Sequence, residues 1–127
     1  MSEITKHRPK YLNLVEIRLP LAGVASIFHR ISGAGLFLTL PLLVYLLQLS
    51  LGSTEEFAKF KSIVSFLPVK LLLFGLLWAL LHHFCMGIRV LLLDVHIGIE
   101  KEAANLSAKI VFAASIFLTL IIGAKLW

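Results

Sequence analysis

The chain has 127 residues, of which 59% are hydrophobic and 15% charged, and its mean hydropathy is +0.95. A soluble domain this small has too much surface for its volume to hide that much apolar area, so lipid must be part of its solvent. The net charge of +5 does not point to nucleic acid, because the basic residues flank apolar runs instead of gathering on one soluble face.

The length suits a single transmembrane anchor domain over residues 1–127. A lone cysteine, Cys85, excludes an internal disulfide and any CxxC metal site. It lies inside an apolar run and reads as a small packing residue. The first apolar run starts at residue 21 and lacks a small-residue cleavage pattern near its end. No secretory signal peptide is therefore expected, and Glu3 and Glu16 argue against an acid-free transit peptide.

In chain order, Pro20 suits a helix start. It opens a first apolar run over Leu21–Leu51, with Pro41 inside, where a bend or a released carbonyl is expected. "LGSTEEFAKFKS" reads as the first loop, with "STEE" as a short capping signal. A second run covers Leu67–Leu93, followed by the loop "DVHIGIEKEAANLSA". A third run covers Ile110–Trp127, in a helix over about 108–126, with Lys125 and Trp127 as interfacial anchors. Spanning the hydrocarbon takes about 20 helical residues, which the first two runs exceed and the third just reaches. None of the runs alternates apolar and polar residues as barrel strands do. The expected fold is an all-α membrane protein: three transmembrane helices, neighbours antiparallel, preceded by a short N-terminal cytoplasmic segment.

Orientation follows from Lys and Arg. Lys6, Arg8, Lys10, Arg18, Arg30, Arg89, Lys101 and Lys109 fall on one side; Lys59, Lys61, Lys70 and Lys125 fall on the other. The N-terminus is predicted inside and the C-terminus outside. That puts Ser26–Gly33 and the Arg89–Asp94 end of the second helix on the same, cytoplasmic, side.

Ionisable groups in a membrane helix cost at least a few kcal/mol near the bilayer centre and are functional candidates by default. Here they are His29 and Arg30 on the first helix, joined by Ser26, and His82, His83 and Arg89 on the second. Ser26, His29, Arg30 and Gly33 follow helical spacing and form one stripe, with Gly33 permitting close approach. Such a stripe of donors suits an anion or a carbonyl oxygen, since arginine supplies a fork of N–H groups. The ordinary alternative is an interfacial belt in which Arg30 snorkels to headgroups. On the second helix, His83, Gly87, Val90 and Asp94 share a stripe, and His82 and Arg89 share another. His83 lies about 16 Å along the helix from Asp94, deep enough to be in hydrocarbon. There it either hydrogen-bonds a neighbouring helix or serves as a metal ligand or proton relay. A haem between helices needs an imidazole on an apolar wall beside small residues, and cations toward the water. Gly87 gives that room, and His29 and Arg30 stand at the mouth.

Two motifs carry a resemblance. One runs from Arg8–Pro9 through Leu14 and Leu21 to "SIFHRIS", ending at Ser32; the other is "HFCMGIR...D", with His83, Gly87, Ile88, Arg89 and Asp94. With these, nearly the whole chain resembles the cytochrome b subunit family of succinate dehydrogenase (respiratory complex II), in its three-helix form. The resemblance implies that His83 is one axial ligand of a haem b whose other ligand comes from a second membrane subunit. It implies that Ser26 and Arg30 line the ubiquinone site, and that His29 and Arg30 neighbour the haem propionates. Partner iron–sulfur and flavoprotein subunits, the latter with FAD, would oxidise succinate and deliver electrons to quinone. No catalytic residue is then expected in this chain alone, which has no nucleotide loop, carboxylate pair or activated nucleophile. The location implied is the bacterial inner membrane, or the mitochondrial one in a eukaryote. The chain departs from the family pattern at Lys10, at Val90 (usually His or aromatic), at Leu93 and at His96, where a small residue is common. A haem-free structural anchor of the fumarate reductase type, with His83 only packing, is the alternative. A small transporter subunit ranks below it, because inverted repeats and paired broken helices are absent.

Overall fold

A computed structural model of the chain describes residue 13 and residues 15–127. The N-terminal segment, with Lys6, Arg8–Pro9, Lys10 and Leu14, lies outside the described residues. The chain forms α1 (Leu21–Ser50), α2 (Thr54–Ser65), α3 (Leu67–Asp94) and α4 (Lys101–Leu126), and the described residues contain no strand. The 30, 28 and 26 residues of α1, α3 and α4 make each of them long and apolar enough to cross a membrane. At 1.5 Å per residue each exceeds the ~30 Å hydrocarbon thickness, so their ends reach the headgroup region.

Successive spans run antiparallel. The N-terminus of α1, the C-terminal end of α3 and the N-terminus of α4 meet at one end. There the Asn105 side-chain oxygen accepts from the Ala22 N–H at 3.3 Å, and Arg89 donates from Nε to Ser107 Oγ at 2.9 Å. Pro20, the N-cap of α1, has no side chain able to cap it. Asn105 supplies from α4 the acceptor that Pro20 lacks, satisfying one of the orphan donors of the first turn.

Two loops are more helical than their sequence suggested. The first contains α2, because Ser53 and Glu56 form a full capping box. Ser53 N–H donates to Glu56 Oε2 at 2.7 Å, and Glu56 N–H donates to Ser53 Oγ at 3.3 Å. The Ser53 backbone and side-chain hydrogen bonds hold the Glu56 carboxyl below its usual range. The helix stacks Phe57 on Phe60, with the Lys61 ammonium over the Phe57 ring. The second loop shrinks because α4 starts at Lys101, not near 108. Hydropathy detects only the lipid-facing part of a helix, whereas "KEAAN" is a run of mostly good helix formers that continues α4 into water. α1 continues as a helix through Pro41.

The three spans pack mostly small residues around one long side chain, Met86. Ala25, Met86, Ala108 and Val111 form the buried cluster, and Ser115 and Thr119 return their hydroxyls to carbonyls of their own helix. Most large apolar side chains remain exposed, as lipid permits. At the opposite end, buried Gly123 lets the Phe74 ring lie directly on the α4 backbone.

The α3–α4 turn places His96 in an unusual backbone position. His96 N–H donates to Leu93 O at 3.0 Å and Ile97 N–H to Leu92 O at 2.9 Å, the paired bonds of a Schellman helix stop. His96 occupies its left-handed position, at φ 63°. Glycine has no side-chain penalty there, whereas an L-residue costs roughly 1–2 kcal/mol. His96→Gly should therefore raise stability by about 1 kcal/mol, read as a higher melting temperature of the detergent-solubilised protein.

Candidate functional site

His83 projects from α3 against α1. Its Nδ1 lies 3.2 Å from the backbone oxygen of His29 and 3.3 Å from Ser32 Oγ. A carbonyl only accepts, so Nδ1 carries the proton and Nε2 the lone pair. The Ser32 hydroxyl itself donates to His29 O at 2.9 Å, which leaves its oxygen turned to accept from His83. The His29 and His83 rings face each other at 4.3 Å between centroids.

Gly33 makes this approach possible. A Cβ built on Gly33 would stand 2.9 Å from His83 Cε1 and 3.3 Å from Nδ1. One turn along α3, a Cβ on Gly87 would meet nothing within 4 Å, so the wall beside His83 is open. Gly87 is half-buried, and Val90 and Asp94 on the same stripe are exposed. The face that carries His83 thus turns away from α4, toward whatever lies beside this chain.

The adjacent stripe faces inward. His82 is fully buried, with its ring stacked on Trp78 at 5.1 Å, tilted against Phe112 at 5.0 Å and edge-on to Phe28 at 6.3 Å. Among the described residues neither ring nitrogen completes a well-formed hydrogen bond, although the Ala25 backbone of α1 lies toward the ring. Arg89, 6% exposed, donates to Ser107 Oγ and, from Nη2, to Ala104 O at 3.0 Å. It ties α3 to the first turns of α4 and is not directed toward the His83 face.

The α1 stripe divides. His29 and Gly33 meet His83. Ser26 is half-buried and donates to Ala22 O of its own helix at 3.2 Å. Arg30 is exposed. Ser26 therefore sits on α1 just before the His83 contact, and Arg30 lies within the span of that contact with its side chain exposed.

A family model described as succinate dehydrogenase/fumarate reductase transmembrane subunit matches residues 4–122. The chain belongs to that family. It is similar to the succinate dehydrogenase cytochrome b556 subunit of Coxiella burnetii, with 34% identity over 121 residues, 94% of this chain and 97% of the relative. It is also similar to the subunit of that name from Paracoccus denitrificans, at 32% over 122 residues, 95% and 94% of the two chains. The Rickettsia felis subunit is 30% identical over 120 residues, 94% of each chain.

Within this family fold, sequence reasoning missed Ser32, Asn105 and the structural task of Arg89. Ser32 could have been found, since it follows His29 at helical spacing on the same polar stretch. Asn105 could not, because its partner is a backbone group of another helix. His82 differs from His83 in kind: it is an aromatic plate with unpartnered nitrogens. An apolar ring of similar shape removes that unmet hydrogen-bonding demand. His82→Phe should leave stability unchanged or raise it by up to about 1 kcal/mol, measured by thermal denaturation of the complex. A loss above about 2 kcal/mol would show that a partner satisfies those nitrogens.

Proposed function

We propose that this chain is the haem b- and quinone-binding anchor of a succinate:quinone oxidoreductase, with His83 as an axial ligand of the haem iron. The observation that carries this reading is the hydrogen bonding of His83. Its Nδ1–H is held by a backbone carbonyl and a serine hydroxyl of α1, which leaves Nε2 as the basic nitrogen. Metal-ligating imidazoles are oriented in this way, with the other ring N–H donating to a carbonyl or other oxygen. The open wall at Gly87 fits a flat macrocycle beside the ring. The residues present therefore fit the group, and His29 and Arg30 lie near enough in sequence and depth to meet its propionates. The haem supplies a one-electron relay when bound. The second axial ligand would come from another membrane subunit, because the His29 ring lies directly against the His83 ring, at 4.3 Å between centroids, and leaves no room for a macrocycle between the two.

Quinone is the second ligand of this reading. Ser26 and Arg30 line the same end of α1 and would face a site shared with the iron–sulfur subunit. Reduction of a quinone to a quinol takes two electrons and two protons, and negative charge builds on the carbonyl oxygens. The Arg30 guanidinium and the Ser26 hydroxyl stabilise that charge, once Ser26 exchanges its bond to Ala22 O for one to the substrate. Being at the headgroup end, both residues leave protons a short path from water. Succinate chemistry itself belongs to the flavoprotein subunit with FAD, and electrons arrive through iron–sulfur clusters. The surplus of basic residues at this end supports a cytoplasmic N-terminus in a bacterial inner membrane.

In the assembled complex, His83→Ala should abolish or greatly weaken the b-type signal of the reduced-minus-oxidised spectrum; a normal signal would refute the ligand assignment. Ser26→Ala and Arg30→Leu should lower quinone reduction by about 100-fold or more, the scale of losing one transition-state donor. Succinate oxidation by an artificial acceptor should persist. Equal loss in both assays would refute the quinone role.

A further inference from the structure

At the end of the bundle opposite Ser26 and Arg30, α3 and α4 line a groove of about 410 Å³. Leu71 and Phe74 of α3 and Leu120, Gly123 and Trp127 of α4 form its apolar walls, and Lys70 is its charged lining residue. The absence of a side chain on Gly123 seats Phe74 against α4 and shapes the floor. The Lys70 ammonium stands 6.0 Å from the centre of the Trp127 ring, and Trp127 lies 6.4 Å from Phe74.

Three observations define what fits. The groove has the volume of a small-molecule site, within the ~300–1,000 Å³ range. Its position at the ends of two spans, beside the Trp127 indole, is that of the water–lipid boundary. Its side chains carry positive charge: Lys70 lines it, Lys125 follows Ala124 of its wall, and none of its lining side chains is acidic. A greasy cleft with a cation at a membrane boundary complements a molecule with a hydrocarbon chain and an anionic headgroup.

We propose that this groove binds an anionic membrane phospholipid, its phosphate on Lys70 and the upper part of one acyl chain between Phe74 and Leu120. The site is in the leaflet opposite the proposed quinone site and does not depend on haem or quinone binding.

The test uses the intact detergent-solubilised complex and two photoactivatable lipids with identical diazirine-bearing chains, phosphatidylglycerol and phosphatidylcholine. After irradiation, labelled peptides of this chain are located by mass spectrometry. Phosphatidylglycerol should label residues 70–74 and 120–127 about fivefold more than phosphatidylcholine, the scale of one basic residue at an anionic surface. Lys70→Gln should abolish that preference, Lys70→Arg should keep it, and Lys101→Gln, at the other end, should not affect it. Equal labelling by the two lipids, a preference that survives Lys70→Gln, or no label in the groove because a partner subunit covers it would each overturn the proposal.

Discussion

The arrangement depends on one polar contact made where water is scarce: the imidazole of His83 on the backbone of α1. In a membrane, association of helices gains little from hydrophobicity, so close backbone approach and interhelical hydrogen bonds decide how they cross. Gly33 provides the approach, and the His29 carbonyl and Ser32 hydroxyl provide the bond. The same bond selects which ring nitrogen keeps its lone pair. Packing, tautomer and ligand capacity are thus consequences of a single contact.

A second polar clamp works at the headgroup end. Arg89 holds α4 through Ser107 and the Ala104 carbonyl, while Asn105 of the same α4 turns caps α1. α4 is therefore tied to both of the other spans at the end where the proposed ligands enter. This explains why α4 extends as a helix beyond its lipid-facing part: its polar first turns carry the residues that make these ties. Between the two clamps, neighbouring histidines on α3 have opposite tasks. A rotation of about 100° per residue sends His83 to the α1 contact and His82 into a closed aromatic cage.

Much of this was legible in the sequence. Three apolar runs long enough to cross a bilayer leave lipid-spanning helices as the one solution for the backbone, and helical spacing separated the His83 face from the His82 face. Gly33 was read correctly as a point of close approach, although what approaches it is a side chain of another helix and so carries no local signal. The amphipathic α2 was hidden because its hydropathy is that of a loop; only the "STEE" cap announced it. The first turns of α4 were hidden for the same reason. The split of the α1 stripe, with His29 on His83 and Arg30 exposed, depends on the crossing of α1 and α3. Periodicity defines a face but not the neighbour that meets it. His96, an oddity in the pattern, acquired its meaning from a backbone angle.

The most direct test is to add one methyl group at the contact. In the assembled complex, Gly33→Ala should push the His83 ring off α1. The b-type haem signal should then shift or weaken and its midpoint potential should move, while Gly35→Ala, whose added carbon meets nothing within 4 Å, leaves both unchanged. A Gly33→Ala complex with an unaltered haem spectrum and potential would contradict the account.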